Sequence, residues 1–195
     1  MHLSQILYDL ITNPKEGIER FRTLNNNTLI AIVTVAVVII SQGVARGVIS
    51  PPRTNFITFA LSFGLAGKFL FTLLFWFSVT AVFHIFASWG GGLGKARELF
   101  ALLGQSSLVI LILLPIAIIT KILGPAGYML FILCYLVTIG WLVSLQIRSI
   151  KAVYSSSTEK AILIYLTPAL IIAALVSAAF ILGIGSVAFL IASNL

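Results

Sequence analysis

Five long apolar runs constrain this chain more tightly than anything else in it. An α-helix rises ~1.5 Å per residue and the hydrocarbon core of a bilayer is about 30 Å thick, so about 20 apolar residues make one crossing. Runs at 29–49, 69–87, 99–120 and 126–147 meet that length, and a further uncharged stretch covers 161–195. Backbone groups in lipid have no water to bond, which leaves hydrogen-bonded helices as the form such runs take. The expected fold is therefore all-α and integral to the membrane, a five-helix transmembrane bundle. Composition agrees, with 60% hydrophobic and 9% charged residues. Soluble domains carry about 25% charged residues, so a water-soluble enzyme fold is excluded, and disorder needs the opposite composition.

The connections follow from local signals. Gly124-Pro125, after Lys121, predicts a tight turn between the third and fourth spans. The last stretch is too long for one span and too short for two with a turn. It reads as one tilted helix over about 158–182, bent at Thr167-Pro168 and loosened near Gly183 and Gly185. Residues 56–67, between Arg53 and Lys68, either lie in the interface or extend the second helix.

Net charge is +7. In a soluble protein this would suggest nucleic acid, but here the cations sit between apolar runs, where they orient the spans. With the N-terminus inside, the cytoplasmic segments hold eight cations, Lys15, Arg20, Arg22, Lys95, Arg97, Arg148, Lys151 and Lys160, against Arg46, Arg53, Lys68 and Lys121 outside. Five spans then put the N-terminus in the cytoplasm and the C-terminus outside. No nucleic-acid partner is expected.

Residues 1–27 read as a cytoplasmic amphipathic segment distinct from the spanning domain at 28–195. Ile6, Leu7, Leu10 and Ile11 recur at helical spacing, and Asn13-Pro14 restarts a helix with an N-cap, proline at N1 and Glu16 at N3. Two short interfacial helices are expected, with Ile18 and Phe21 facing lipid. The mixed charges of this segment do not make a secretory signal.

Chemistry-bearing groups are few. Cys134 stands alone, so neither an intrachain disulfide nor a cysteine-rich metal site is available. The loop 89–98 has Trp89 and Ala96 where a phosphate-binding loop around Gly94-Lys95 needs glycine and a hydroxyl residue, so its glycines read as a hinge. His84 lies one turn before Ser88, but a histidine-activated hydroxyl needs an orienting acid and an oxyanion hole, and Asp9 lies outside the spans. His84 therefore reads as an interfacial histidine beside Trp89. No catalytic residue, metal site or cofactor is expected. Gln105, Ser106 and Ser107, with His84, form the candidate intramembrane polar patch. Packing between helices is the simpler role for it, and a substrate or ion site before Pro115 the alternative. Gly140, Ser144 and Ala152 are candidate helix contacts, and Ser156 with Glu159 has capping-box spacing. Lys95, Arg97, Arg148 and Lys151 are the candidate lipid- or partner-facing cations.

Two landmarks carry a family likeness. One is His84-Ile85-Phe86-Ala87 running into Gly91-Gly92-Leu93-Gly94; the other is Trp141-Leu142-Val143-Ser144-Leu145, Ile150 and Ser157-Thr158-Glu159-Lys160-Ala161. With Asn13-Pro14-Lys15-Glu16-Gly17 and five spans, the chain resembles the Yip family of Rab-interacting polytopic membrane proteins in its short prokaryotic form, over roughly 13–182. The resemblance implies a five-span helical fold with a cytoplasmic N-terminus and a lumenal or external C-terminus, and a prokaryotic plasma membrane is the expected location. Eukaryotic members associate with Rab GTPases, but this chain has neither their long N-terminal region nor their Asp-Leu-x-Gly-Pro motif, which argues against a Rab-type GTPase as partner. Short forms often carry Tyr-Ala-x-x-Pro early in span three, where this chain has Gln105-Ser106-Ser107 and Val109. The expected role is a non-enzymatic scaffold that organises the membrane or docks partners, its partners being lipids, another protein or a second copy of itself. A small-solute or ion transporter using the polar patch is the alternative.

Overall fold

The computed structural model describes residues 8–9, 12–24, 26–49 and 63–192. Among them the regular structure is helical throughout: α1 (Pro14–Arg22), α2 (Asn27–Ile49), α3 (Phe63–Trp89), α4 (Ala96–Ser106), a 3-10 segment (Ser107–Ile112), α5 (Leu113–Ile122), α6 (Gly124–Tyr154) and α7 (Thr158–Ala192). Five crossings result, because α4, the 3-10 segment and α5 follow one another as a single span.

Pro14 opens α1 with its φ already helical. The Asn13 side chain donates to the Glu16 carboxylate at 2.8 Å, while the Asn13 carbonyl accepts from the Gly17 N–H at 3.1 Å. Ile18 and Phe21 do not face lipid as expected. They are 3% and 0% exposed and join a core that includes Leu99, Leu102, Ile150 and Val153. The reason is that α1 lies against the ends of α4 and α6. A protein groove removes both apolar faces from water and gives them close-packed partners. Of the helix expected before Asn13, Ile6, Leu7, Leu10 and Ile11 lie outside the described residues.

The second span begins earlier than hydropathy suggested. Residues 63–67 extend α3, and the remainder of the 56–67 segment lies outside the described residues. In the third span the helix tightens to 3-10 geometry at Ser107–Ile112, just before Pro115. Proline has no N–H and its ring crowds the carbonyl four residues earlier, which is Leu111, inside that segment. Gly124 turns the chain with φ +62°, and Gly127 then passes so close to α5 that a Cβ there would lie 1.8 Å from the Thr120 carbonyl oxygen.

Two boundaries move at the other end. Helix α6 continues to Tyr154 rather than stopping near 147, burying Ser149, Ile150, Val153 and Tyr154. The connection to α7 shrinks to Ser155–Ser157, with Ser155 in the left-handed region at φ 49°. The cap of α7 is also shifted by one residue from the expected pair: Ser157 Oγ, not Ser156, accepts the Lys160 N–H at 3.3 Å. Helix α7 contains Pro168 and runs on through Gly183 and Gly185 to Ala192.

The centre of the bundle is α2 with the α4–α5 span, while α3, α6 and α7 turn large apolar side chains outward, among them Phe71, Phe75, Leu133, Val137, Leu163 and Leu170. In water such a surface would aggregate. In lipid it is the expected exterior of a membrane bundle.

Candidate functional site

Polar chemistry collects at the end of the bundle that carries α1. Arg22 projects from the last turn of α1 and places Nη2 2.9 Å from Glu98 Oε2 at the start of α4. Its Nη1 donates to the Ala152 carbonyl on α6 at 2.9 Å. One guanidinium thus ties three helices, a use that suits its rigid fork of donors. Glu98 also sits in the first turn of α4, where a carboxylate meets the positive end of the helix dipole. Arg20 pairs with Asp9 and Glu16 further out.

Beneath α1 lies a cleft of about 730 Å³ with Lys15, Glu19, Arg22, Arg148, Lys151 and Ser156 on its walls. Ile18, Ile147 and Ala152 give it an apolar side. Lys151 Nζ donates to Thr158 Oγ1 at 2.8 Å, bridging the turn between α6 and α7. Ser156 Oγ is buried and has no hydrogen-bond partner. Of the four cations singled out in the sequence, Arg148 and Lys151 line this cleft and Lys95 and Arg97 do not. Lys95 occupies the N-cap position of α4, and its carbonyl accepts from the Leu99 N–H at 3.2 Å. Arg97 Nε donates to Thr28 Oγ1 at 3.1 Å and borders an apolar cavity beside His84. Sequence reasoning missed Lys15, Glu19, Arg22 and Ser156 as site residues. The spacing of Lys15, Glu19 and Arg22, at i, i+4 and i+7, puts them on one face of α1 and was the available signal.

The four-residue polar patch divides. Gln105 is 0% exposed; its Oε1 accepts from Thr34 Oγ1 at 3.2 Å, and its Nε2 is buried with no partner. Ser106 Oγ donates to the Leu102 carbonyl at 2.7 Å and lies 3.4 Å from Ser149 Oγ. Ser107 Oγ donates to the Gly104 carbonyl at 2.6 Å and reaches the wall of a cavity of about 260 Å³ shared with Trp76, Gln42 and Gln146. Both serine hydroxyls thus bond back to carbonyls of their own helix, which satisfies them away from water.

His84 is not part of that patch. Its Nδ1 lies 2.7 Å from the Tyr154 hydroxyl, a hydrogen bond that joins α3 to the end of α6. The Tyr154 ring in turn covers the glycine loop: a Cβ at Gly92 or Gly94 would lie 2.8 Å or 2.6 Å from its Cδ1. Positive φ is used at Gly91, whereas Gly92 and Gly94 permit close approach, a role different from the expected hinge. Among the described residues no cluster of three or more metal-ligating side chains is present.

An all-helical chain with five apolar spans, its outer helices clothed in large hydrophobic side chains, is an integral membrane protein. The Yip1 domain matches it over residues 8–191, and the chain belongs to that family. No curated protein and no solved structure matches the chain.

Proposed function

We propose that this Yip1-domain protein is a non-enzymatic membrane scaffold whose working surface is the end of the bundle bearing α1. The observation that carries this reading is the convergence there of Lys15, Arg22, Arg148 and Lys151 around one cleft, with Lys95 and Arg97 beside it. That end is cytoplasmic by the distribution of cations, with the C-terminus external, in a plasma membrane of prokaryotic type. Segment 1–27 then caps a spanning domain at 28–195. Each cation near an anionic surface contributes about 1 kcal/mol of attraction, and with Arg22 taken up by Glu98 the other five together hold a lipid surface or an acidic partner without any reaction. The test uses the full chain in neutral proteoliposomes, scored for clustering of added anionic vesicles. Replacing Lys95, Arg97, Arg148 and Lys151 with glutamine abolishes clustering on this reading; unchanged clustering sinks it.

A transport reading has one observation in its favour, the cavity beside Ser107, whose wall carries Trp76, Gln42 and Gln146 inside the spans. Solute flux in proteoliposomes that falls on Gln105→Leu replaces the scaffold with a transporter.

A further inference from the structure

The cleft under α1 has more specific chemistry than a basic surface. Arg22 is spent on Glu98 and the Ala152 carbonyl. Among the described residues Lys15 and Arg148 form no ion pair, and Lys151 uses one of its three hydrogens on Thr158. Glu19 is the opposing carboxylate on the wall. Three free cations against one carboxylate leave two positive charges without a counterion. Ser156 stands on the same wall, and its hydroxyl has no protein partner. The volume of about 730 Å³ falls in the ~300–1,000 Å³ range of ligand pockets and exceeds the needs of a bare ion. Ile18, Ile147 and Ala152 supply an apolar side for the atoms that follow the charged group.

We infer that this cleft binds a phosphate monoester, with Lys15, Arg148 and Lys151 on its oxygens and Ser156 Oγ donating to one of them. The reason for a monoester is charge: it carries about −1.5 to −2 at neutral pH, whereas a diester carries a single charge. A lipid headgroup ending in phosphate and a free phosphate compound share this chemistry. The apolar wall and the place of the cleft at the end of the spans favour the lipid.

The inference rests on the reading of this end as the lipid- or partner-facing surface, and its test reads selectivity rather than vesicle clustering. Detergent-purified full-length protein is titrated with equal amounts of phosphatidic acid, a monoester, and phosphatidylglycerol, a diester, and the retained lipid is counted by native mass spectrometry. Phosphatidic acid is retained about fivefold over phosphatidylglycerol, the effect of one further well-placed charge. The preference disappears in the Lys15→Gln/Arg148→Gln variant, weakens in Ser156→Ala, and is unchanged in Lys121→Gln, which lies on the far side of the spans. Equal retention of the two lipids, or a preference that survives the double variant, overturns the site. Excess inorganic phosphate is then added: displacement supports the monoester site with a free compound as its ligand, and persistence supports it with a lipid. Clustering that survives while the preference is absent rejects the site alone.

Discussion

Arg22 and Glu98 lie 76 positions apart in the chain and meet with Nη2 2.9 Å from Oε2. Both side chains are about one-third exposed or less, 33% and 27%, so water screens the pair only in part. The contact fixes α1 over the start of α4, and the second donor of Arg22 fixes it to α6 through Ala152. Arg22→Met strands Glu98 and the Ala152 carbonyl at once. The expected loss is about 1–3 kcal/mol, read as a lower midpoint in thermal unfolding of the detergent-solubilised protein. Glu16→Gln, which breaks only the exposed pair with Arg20, costs about 0–1 kcal/mol. Equal effects of the two substitutions contradict the role assigned to Arg22.

Phe21 gives a sharper measure of whether α1 rests on protein or on lipid. Its side chain is fully buried. Phe21→Ala therefore leaves a cavity and costs about 3–5 kcal/mol, with faster tryptic cleavage at Lys15 and Arg20 as α1 detaches. A side chain that merely floated in the headgroup region would lose membrane affinity on truncation and leave the unfolding midpoint where it was.

The crossings were legible because each depends on one additive quantity, apolar length, which the chain writes locally. Their ends were not. Hydropathy stops at Arg148, yet α6 continues because Ser149, Ile150 and Val153 turn inward against neighbouring helices while Arg148 and Lys151 point out. Periodicity near a charge, rather than mean hydropathy, holds that information. The lipid-facing reading of Ile18 and Phe21 failed for a related reason: an amphipathic face specifies that something apolar covers it, not whether that is lipid or protein. Arg148 and Lys151 were readable as two cations just after the fourth span. Their meeting with Lys15 was not, since it depends on where α1 docks.

Two glycines with the same local propensity separate packing from propensity. A Cβ on Gly104 would lie 2.1 Å from Cζ2 of Trp76, whose ring stacks on Phe100 at 3.9 Å between centroids. Gly140 has nothing within 4 Å of its Cβ position. Gly104→Ala forces Trp76 off the Phe100 ring and destabilises by about 1–3 kcal/mol. Gly140→Ala gains helix propensity and is neutral or stabilising by up to ~1 kcal/mol. Thermal unfolding of both variants checks the pair, and near-ultraviolet circular dichroism reports displacement of the indole in Gly104→Ala.

Gln105 and Thr34 decide between the packing and the transport readings of the polar patch. The amide is fully buried, its oxygen is held by Thr34 and its nitrogen has no partner. Thr34→Val alone leaves the oxygen unpaired as well, which costs about 1–3 kcal/mol. Gln105→Leu removes the orphaned nitrogen together with the oxygen, so its effect is near zero or stabilising, and adding Thr34→Val to it restores nothing and costs little. A side chain kept for packing alone behaves in this way, with membrane association of anionic vesicles unaltered. A side chain kept for a passing solute gives the same stability but a loss of flux, because the unpaired N–H is then the group that the solute completes.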